Sequence, residues 1–337
     1  MKNKSSALLK VYRTAGRFGF DWFILGLIGM IVIAYFRPGI GARDSEIPLS
    51  KIAGYGISAV FFFYGLGLGP QKLKAGLNNW RLHLVIQLTT FVLFPVLVIL
   101  SRKIIGSHVN EIIWLGIFFL ASLPGTVSSA VVMVSIAKGN LPSAIFNASI
   151  STLLGVIITP LWMRFYLEAA PVDMDLGPVL IKLMLQVLLP VAIGILLNKY
   201  WGAFSGKYSR EIRYFDQFVI LLIVYTAFCD SFARKAFSGY STALLVGLGL
   251  AMIVLFYLAY GIVFIISHYL KFNREDKITA LFCGSKKSLM HGSLMSKVLF
   301  AHSPYIGIVI LPVMMYHALQ LVMVSIIAQW MSRHNRS

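Results

Sequence analysis

Acidic side chains are scarce in this sequence. Asp and Glu number 12 against 30 Lys and Arg, and charged residues make up only 12% of the 337 residues, roughly half the share of an ordinary soluble chain, about 25%. By the helix boundaries given below, none of the acids falls in mid-span. Asp21, Glu111, Asp216, Asp230 and Glu275 all stand near span ends, so no carboxylate is placed to hold Na⁺ or H⁺ inside a bilayer. The two cysteines, Cys229 and Cys283, lie in or beside apolar runs and offer neither a disulfide framework nor metal-ligand spacing. A Walker loop, an HExxH helix and a Gly-x-Ser-x-Gly elbow are also missing, which removes an ATP-driven pump and the commonest hydrolases. Short alternating strands of a membrane barrel are absent too. No catalytic residue, metal ligand or cofactor-binding motif is assigned.

What is present is apolar. Hydrophobic residues reach 58%, and mean hydropathy is +0.81. The run Thr242–Leu270 carries no Asp, Glu, Lys or Arg and is longer than the roughly 20 residues that cross a bilayer. Runs bounded by charges, Gly or Pro predict about ten helices, at 18–36, 51–69, 81–101, 112–137, 142–167, 177–200, 213–232, 241–270, 276–300 and 304–331. Backbone groups in hydrocarbon need partners within their own segment, so these runs read as helices. The formal charge of +18 does not indicate nucleic acid, because the bases sit between apolar spans and not in one patch. The basic start (Lys2, Lys4, Lys10, Arg13, Arg17) precedes a run too long for a signal peptide, so it reads as a retained first helix. With the N-terminus inside, the larger share of Lys and Arg falls on the cytoplasmic side, including Lys72, Lys74, Lys138, Lys207, Arg274 and Arg336, while the acidic stretch Glu168–Asp175 falls outside. Both termini are therefore expected in the cytoplasm.

Two spans are interrupted. The fourth breaks at Ser122-Leu123-Pro124-Gly125-Thr126-Val127-Ser128-Ser129, and the ninth at Cys283-Gly284-Ser285-Lys286-Lys287-Ser288. They hold the same place in two five-helix halves, 1–167 and 168–337, and an odd number of spans per half makes the halves insert with opposite topology. Such a matched pair of interrupted spans points to a binding site between inverted repeats near the midplane. Pro124, Gly125 and Gly284 are the expected helix breaks. Half-helix N-termini favour anions and C-terminal carbonyls favour cations. Thr126, Ser128, Ser129, Ser288 and His291 are candidate substrate contacts, with Asn147 from the polar stripe Ser143, Asn147, Ser151 on the fifth span. Ser and Thr also glue helices together without a ligand; that is the alternative for this stripe, for Gln87 and Thr90, and for His317. Lys286 and Lys287 stand near the centre of the ninth span, where a lysine costs at least ~2.5–3.5 kcal/mol and marks a pathway or relay. Lys287 precedes His291 by four residues, which puts both on one face if the helix is continuous. Lys286, with Ser285, Gln87 and Thr90, is the candidate cation site or its replacement, and Lys287 is assigned to the substrate.

The segments Leu123–Ala130, Ala137-Lys138-Gly139-Asn140, Ser151-Thr152, Thr159-Pro160, Phe282–Leu289 and Asn79–His83, with Gln87 and Phe94-Pro95, resemble the bile acid:sodium symporter family (solute carrier family 10). The likeness is greatest to the branch of the seventh human member and its bacterial relatives. The resemblance implies an all-α polytopic membrane protein of ten transmembrane helices in two inverted repeats. It implies a panel of helices 1, 2, 6 and 7, and a core of helices 3, 4, 5, 8, 9 and 10 in which helices 4 and 9 are broken and cross. In that family a Ser-Asn pair, a Glu, a Gln and hydroxyls on helix 5 bind two sodium ions. The Ser-Asn pair falls here on Ser128-Ser129 or on Ser129-Ala130, the Glu on Phe282, the Gln on Lys286, and the hydroxyls on Ala144 and Ala148. Most sodium ligands are thus replaced, and an ammonium stands where Na⁺, the family's coupling ion, would sit.

The expected function is secondary transport of a small organic anion by alternating access, from a bacterial inner membrane. A non-transporting regulator or receptor on the same scaffold is the alternative. The expected partners are the anion and the bilayer, with no nucleic acid, and a monomer is expected.

Overall fold

The computed structural model describes residues 22–42, 44–67, 79–106, 109–169, 184–238, 240–300 and 303–333. The basic N-terminal segment, Lys72, Lys74, residues 170–175 of the acidic stretch, His302 and the side chain of Ser128 lie outside the described residues. Among the described residues all regular structure is helical: α1 (Trp22–Phe36), the short α2 (Pro38–Gly41), α3 (Leu49–Gly67), α4 (Trp80–Leu88), α5 (Phe94–Ile105), α6 (Glu111–Ser122), α7 (Ser128–Ile136), α8 (Leu141–Ala169), α9 (Leu189–Lys207), α10 (Ser209–Ala233), α11 (Thr242–Tyr269), α12 (Arg274–Gly284), α13 (Leu289–Leu299) and α14 (Ile306–Arg333). A π-helical turn, Thr89–Leu93, joins α4 to α5 without interrupting the rod, and a second, Met184–Leu188, leads into α9. Seven helices are long and apolar enough to cross a membrane, α4 through α5 counting as one. The fourth and ninth expected spans are each two half-helices, α6 with α7 and α12 with α13. Of the first expected span, 18–36, α1 is the described part.

Starts and stops follow local chemistry. Asn110, Ser241, Asn273 and Ser288 each accept a first-turn N–H at the head of α6, α11, α12 and α13, the usual cap that satisfies an orphan donor. Pro38 opens α2, which the apolar pattern did not anticipate.

The helices pack as two sets. In one, α3 lies along α9, and α10 packs on α1, α2 and α3. In the other, α4 to α8 and α11 to α14 pack among themselves, with α14 against α6, α11 and α13. The principal links between the sets run from α10 to α13 and α14. Apolar burial gives helices in lipid little net drive to associate, so close approach depends on small residues. Gly65 on α3 sits against the Val191 carbonyl, and Gly194 on α9 against the Phe62 carbonyl and the Leu66 nitrogen. Asn198 adds a bond from its amide nitrogen to the Leu66 carbonyl, 2.6 Å.

In the second set a polar clamp holds one end. Asp276, in the first turn of α12, accepts from Asn79 Nδ2 (2.7 Å) and Asn140 Nδ2 (2.8 Å). Asn140 also caps α8 through Ser143 N. The chain enters this corner through Lys138 at φ 59° and Gly139, where a Cβ would come within 2.8 Å of Ile278. Asp276 thus joins α4, α8 and α12 through neutral amides. Because Gly194 faces backbone and not a flexible side chain, Gly194→Val should cost about 3 kcal/mol; detergent-solubilised thermal unfolding should show a lower midpoint, whereas Gly54→Ala, in open space, should leave it unchanged.

Candidate functional site

The two breaks meet in the middle of the second helix set. α6 ends because Pro124 has no N–H to offer the preceding turn. Leu123 N still reaches Leu120 O at 3.2 Å. The next carbonyl, Ala121, would look to Gly125 N, but that N–H donates to Ser151 Oγ on α8 (3.0 Å). Four successive carbonyls are left without partners in their own helix, and in a buried site each needs one. Each has one. Thr159 Oγ1 donates to Ser122 O (2.8 Å), Ser288 N to Pro124 O (2.9 Å), and Lys287 Nζ to both Ala121 O (2.6 Å) and Leu123 O (2.8 Å).

The third bond of Lys287 Nζ goes to Thr90 O, 2.6 Å away. That carbonyl is available for a definable reason. In the π-turn Phe94 N donates to Thr89 O, five residues back, so Thr90 O would next require Pro95 N, which carries no hydrogen. The same proline frees Phe91 O, and Trp162 Nε1 on α8 takes it at 2.7 Å. Thr90 therefore contributes its carbonyl; its hydroxyl bonds back to Ile86 O. Phe94 lies under the ammonium, with Nζ 4.2 Å from the ring centroid. Three carbonyl acceptors require three N–H donors, which only the ammonium form supplies. Bonds to a charged donor contribute about 1.5–3 kcal/mol each, so three of them outweigh the roughly 2.5–3.5 kcal/mol cost of placing a lysine at depth.

Around the second break, α14 supplies the clamp. Gln320 accepts from Lys287 N through Oε1 and donates from Nε2 to Lys287 O, both at 2.8 Å. Tyr316 OH donates to Ser285 O at 2.7 Å. Ser285 Oγ turns back to Leu281 O, away from Lys286. Gly284 is still helical as the last residue of α12, so the non-helical stretch is Ser285–Ser288, where Cys283–Ser288 was expected. Gly125 lies at the crossing point: a Cβ there would meet Cys283 O at 3.3 Å and Lys286 O at 3.6 Å.

Lys286 takes the other direction. It is fully buried, and its Nζ donates to Ser129 Oγ (2.8 Å), which in turn donates to Thr126 Oγ1 (3.0 Å). The pair therefore diverges, Lys287 toward helix C-terminal carbonyls and Lys286 toward the N-terminus of α7, where an anion is favoured. The spacing argument that joined Lys287 to His291 does not hold, because Lys287 lies in the break and helix begins only at Leu289. His291 instead contacts Ser288 and faces Phe61 and Tyr64 of α3.

Other expected contacts are engaged elsewhere. Asn147 is buried with its amide spent on Ser143 O, His83 Nδ1 and Gln87 Nε2, so it ties α8 to α4 and has no group turned to the break. Gln87 points at Asn147, not at Lys286, and its Oε1 has no partner. Phe282, Ala144 and Ala148 are buried and give no side-chain oxygen. Sequence reading missed Tyr316, Gln320, Thr159 and Trp162. Gln320 carried a signal, a buried amide in an apolar span three residues after His317.

The family model described as the SBF-like CPA transporter family matches residues 21–333. A Xenopus laevis protein named sodium/bile acid cotransporter 7-B is 30% identical over 321 residues, covering 92% of each chain. Its Rattus norvegicus namesake, sodium/bile acid cotransporter 7, is 28% identical over 321 residues, with 92% of this chain and 93% of that one covered. An uncharacterized Pseudomonas aeruginosa protein is 38% identical over 317 residues, 94% of each chain. With its long apolar helices and a match over nearly its whole length, this chain is an integral multi-pass membrane protein that belongs to the SBF-like CPA transporter family.

Proposed function

We propose that the protein is a secondary transporter of a small organic anion, in which the Lys287 ammonium occupies the place of a coupling cation. The observation that carries this reading is the crossing of two broken helices around an ammonium held by three main-chain carbonyls. Carbonyl cages of this kind receive a monovalent cation in transporters with broken helices. Here the cation is tethered, so no soluble ion is needed to neutralise the C-terminal end of α6. Lys286, Ser129 and Thr126, beside the N-terminus of α7, form the anion side; Ser288 caps the N-terminus of α13 opposite.

In this proposal the ten spans form two inverted five-helix repeats, 1–167 and 168–337, with both termini in the cytoplasm of a bacterium. Support comes from the matching bracing of the two breaks, by Ser151 and Thr159 on α8 and by Tyr316 and Gln320 on α14. The set containing α3, α9 and α10 and the set containing the breaks move against each other during alternating access. The relatives named sodium/bile acid cotransporter carry an organic anion and sodium in their names; the sodium part is not carried over here, because Lys287 already fills the carbonyl cage.

Three outcomes are expected. Thermal unfolding of the unaltered protein should be the same in NaCl and KCl at equal ionic strength. Lys287→Ala should unfold at a lower temperature and regain part of the loss in Na⁺; stabilisation of the unaltered protein by Na⁺ would refute the tethered cation. For Lys286→Gln, labelled-anion counterflow in proteoliposomes, using benzoate, octanoate and taurocholate, should fall at least about tenfold, the effect of losing roughly 1.4 kcal/mol of binding, with the unfolding temperature little changed. Undiminished counterflow would remove Lys286 from the anion site.

A further inference from the structure

His291 lies in the first turn of α13 and has no exposed surface. Its main-chain N–H donates to Ser288 Oγ at 3.3 Å, and the same hydroxyl stands 3.0 Å from Nδ1 of its ring. A hydroxyl that accepts from the N–H keeps its own proton for Nδ1, so the arrangement that leaves no hydroxyl proton idle places the ring proton on Nε2. That Nε2 has no partner. The rings of Phe61 and Tyr64 make edge-to-face contact with the imidazole, each with centroids 5.9 Å away.

An unpaired buried donor of this kind is a standing cost to the fold, and native proteins keep few of them. Its position suggests what offsets that cost. Phe61 and Tyr64 belong to α3, in the other helix set, so this contact lies on the surface between the sets. The N-terminal turn of α13 adds partial positive charge, which favours an anionic oxygen over a neutral one.

We propose that His291 Nε2–H is the donor that receives a carboxylate oxygen of the transported solute, whose apolar body lies against Phe61 and Tyr64. This rests on the transport reading above, since separation of the helix sets is what opens that face. It adds a specificity-determining residue distinct from Lys286: Lys286 supplies charge, and His291 fixes where the acid group sits. A solute with an amide or alcohol in place of the acid loses the ionic acceptor and is discriminated against at this position.

The test uses the full chain in detergent, with benzoate and octanoate as probes and benzamide and octanamide as controls, read by thermal unfolding. In the unaltered protein the carboxylates should raise the midpoint and the amides should not. His291→Phe keeps a ring between Phe61 and Tyr64 and leaves Ser288 as cap. It should abolish the carboxylate shift while raising the ligand-free midpoint by roughly 2–4 °C, because an orphan donor is gone. His291→Gln, which retains an N–H at similar reach, should keep the shift. A carboxylate shift that persists in His291→Phe, or a loss of ligand-free stability in both variants, overturns the role of His291 and leaves the transport reading standing. Absence of any anion shift in the unaltered protein overturns both.

Discussion

One ammonium group takes up carbonyls of two helical segments that would otherwise be left unpaired. Lys287 Nζ is held by Thr90 O from the π-turn and by Ala121 O and Leu123 O from the end of α6. Thr90 O is free because Pro95 cannot donate to it, and Ala121 O and Leu123 O are free because α6 ends at Pro124 and the Gly125 N–H turns to Ser151 Oγ. Neither side of this arrangement is stable alone: a buried lysine without acceptors is expelled from the bilayer or neutralised, and buried carbonyls without donors destabilise the break. Together they fix the crossing point, and from it the placing of everything nearby.

Lys286 illustrates the dependence. With the side chain of its neighbour held on one side, and the Lys287 main chain gripped by Gln320 at both N–H and C=O, its side chain runs toward Ser129 and the head of α7. The crossover thus separates charge by direction, with Lys287 on the carbonyl end of α6 and Lys286 on Ser129 in the first turn of α7. Two adjacent bases take different partners, one the carbonyls and the other a hydroxyl at the head of α7. The remote clamp at Asp276 ties α4, α8 and α12 together, and the contact through Gly65 and Gly194 draws α3 and α9 close.

Much of the fold was legible from apolar runs, because hydrocarbon demands helices and the runs stop at charges, Gly or Pro. The expected 142–167, 213–232, 241–270 and 304–331 differ by a few residues from α8, α10, α11 and α14. The first break was legible because Pro124-Gly125 removes a donor and a side chain at one place. The division of labour between the lysines was not, since the acceptors of Lys287 are main-chain carbonyls that leave no mark in side-chain chemistry. Helical spacing misled at Lys287 and His291 because it assumes a helix through the very residues that interrupt it. Pro95 did hold a readable clue, a proline inside a span, but which group would take the freed carbonyls depended on Trp162 and Lys287, both far away in sequence.

The most direct test is to look for an ion at the crossover. Crystals of the unaltered protein and of Lys287→Ala, each soaked in Tl⁺ or Rb⁺, would be compared by anomalous scattering. The expected result is no peak in the unaltered protein and, in Lys287→Ala, a peak within bonding distance of the Thr90, Ala121 and Leu123 carbonyls. A peak at those carbonyls in the unaltered protein, or an intact but empty cage in the variant, would contradict the claim that Lys287 stands in for a cation.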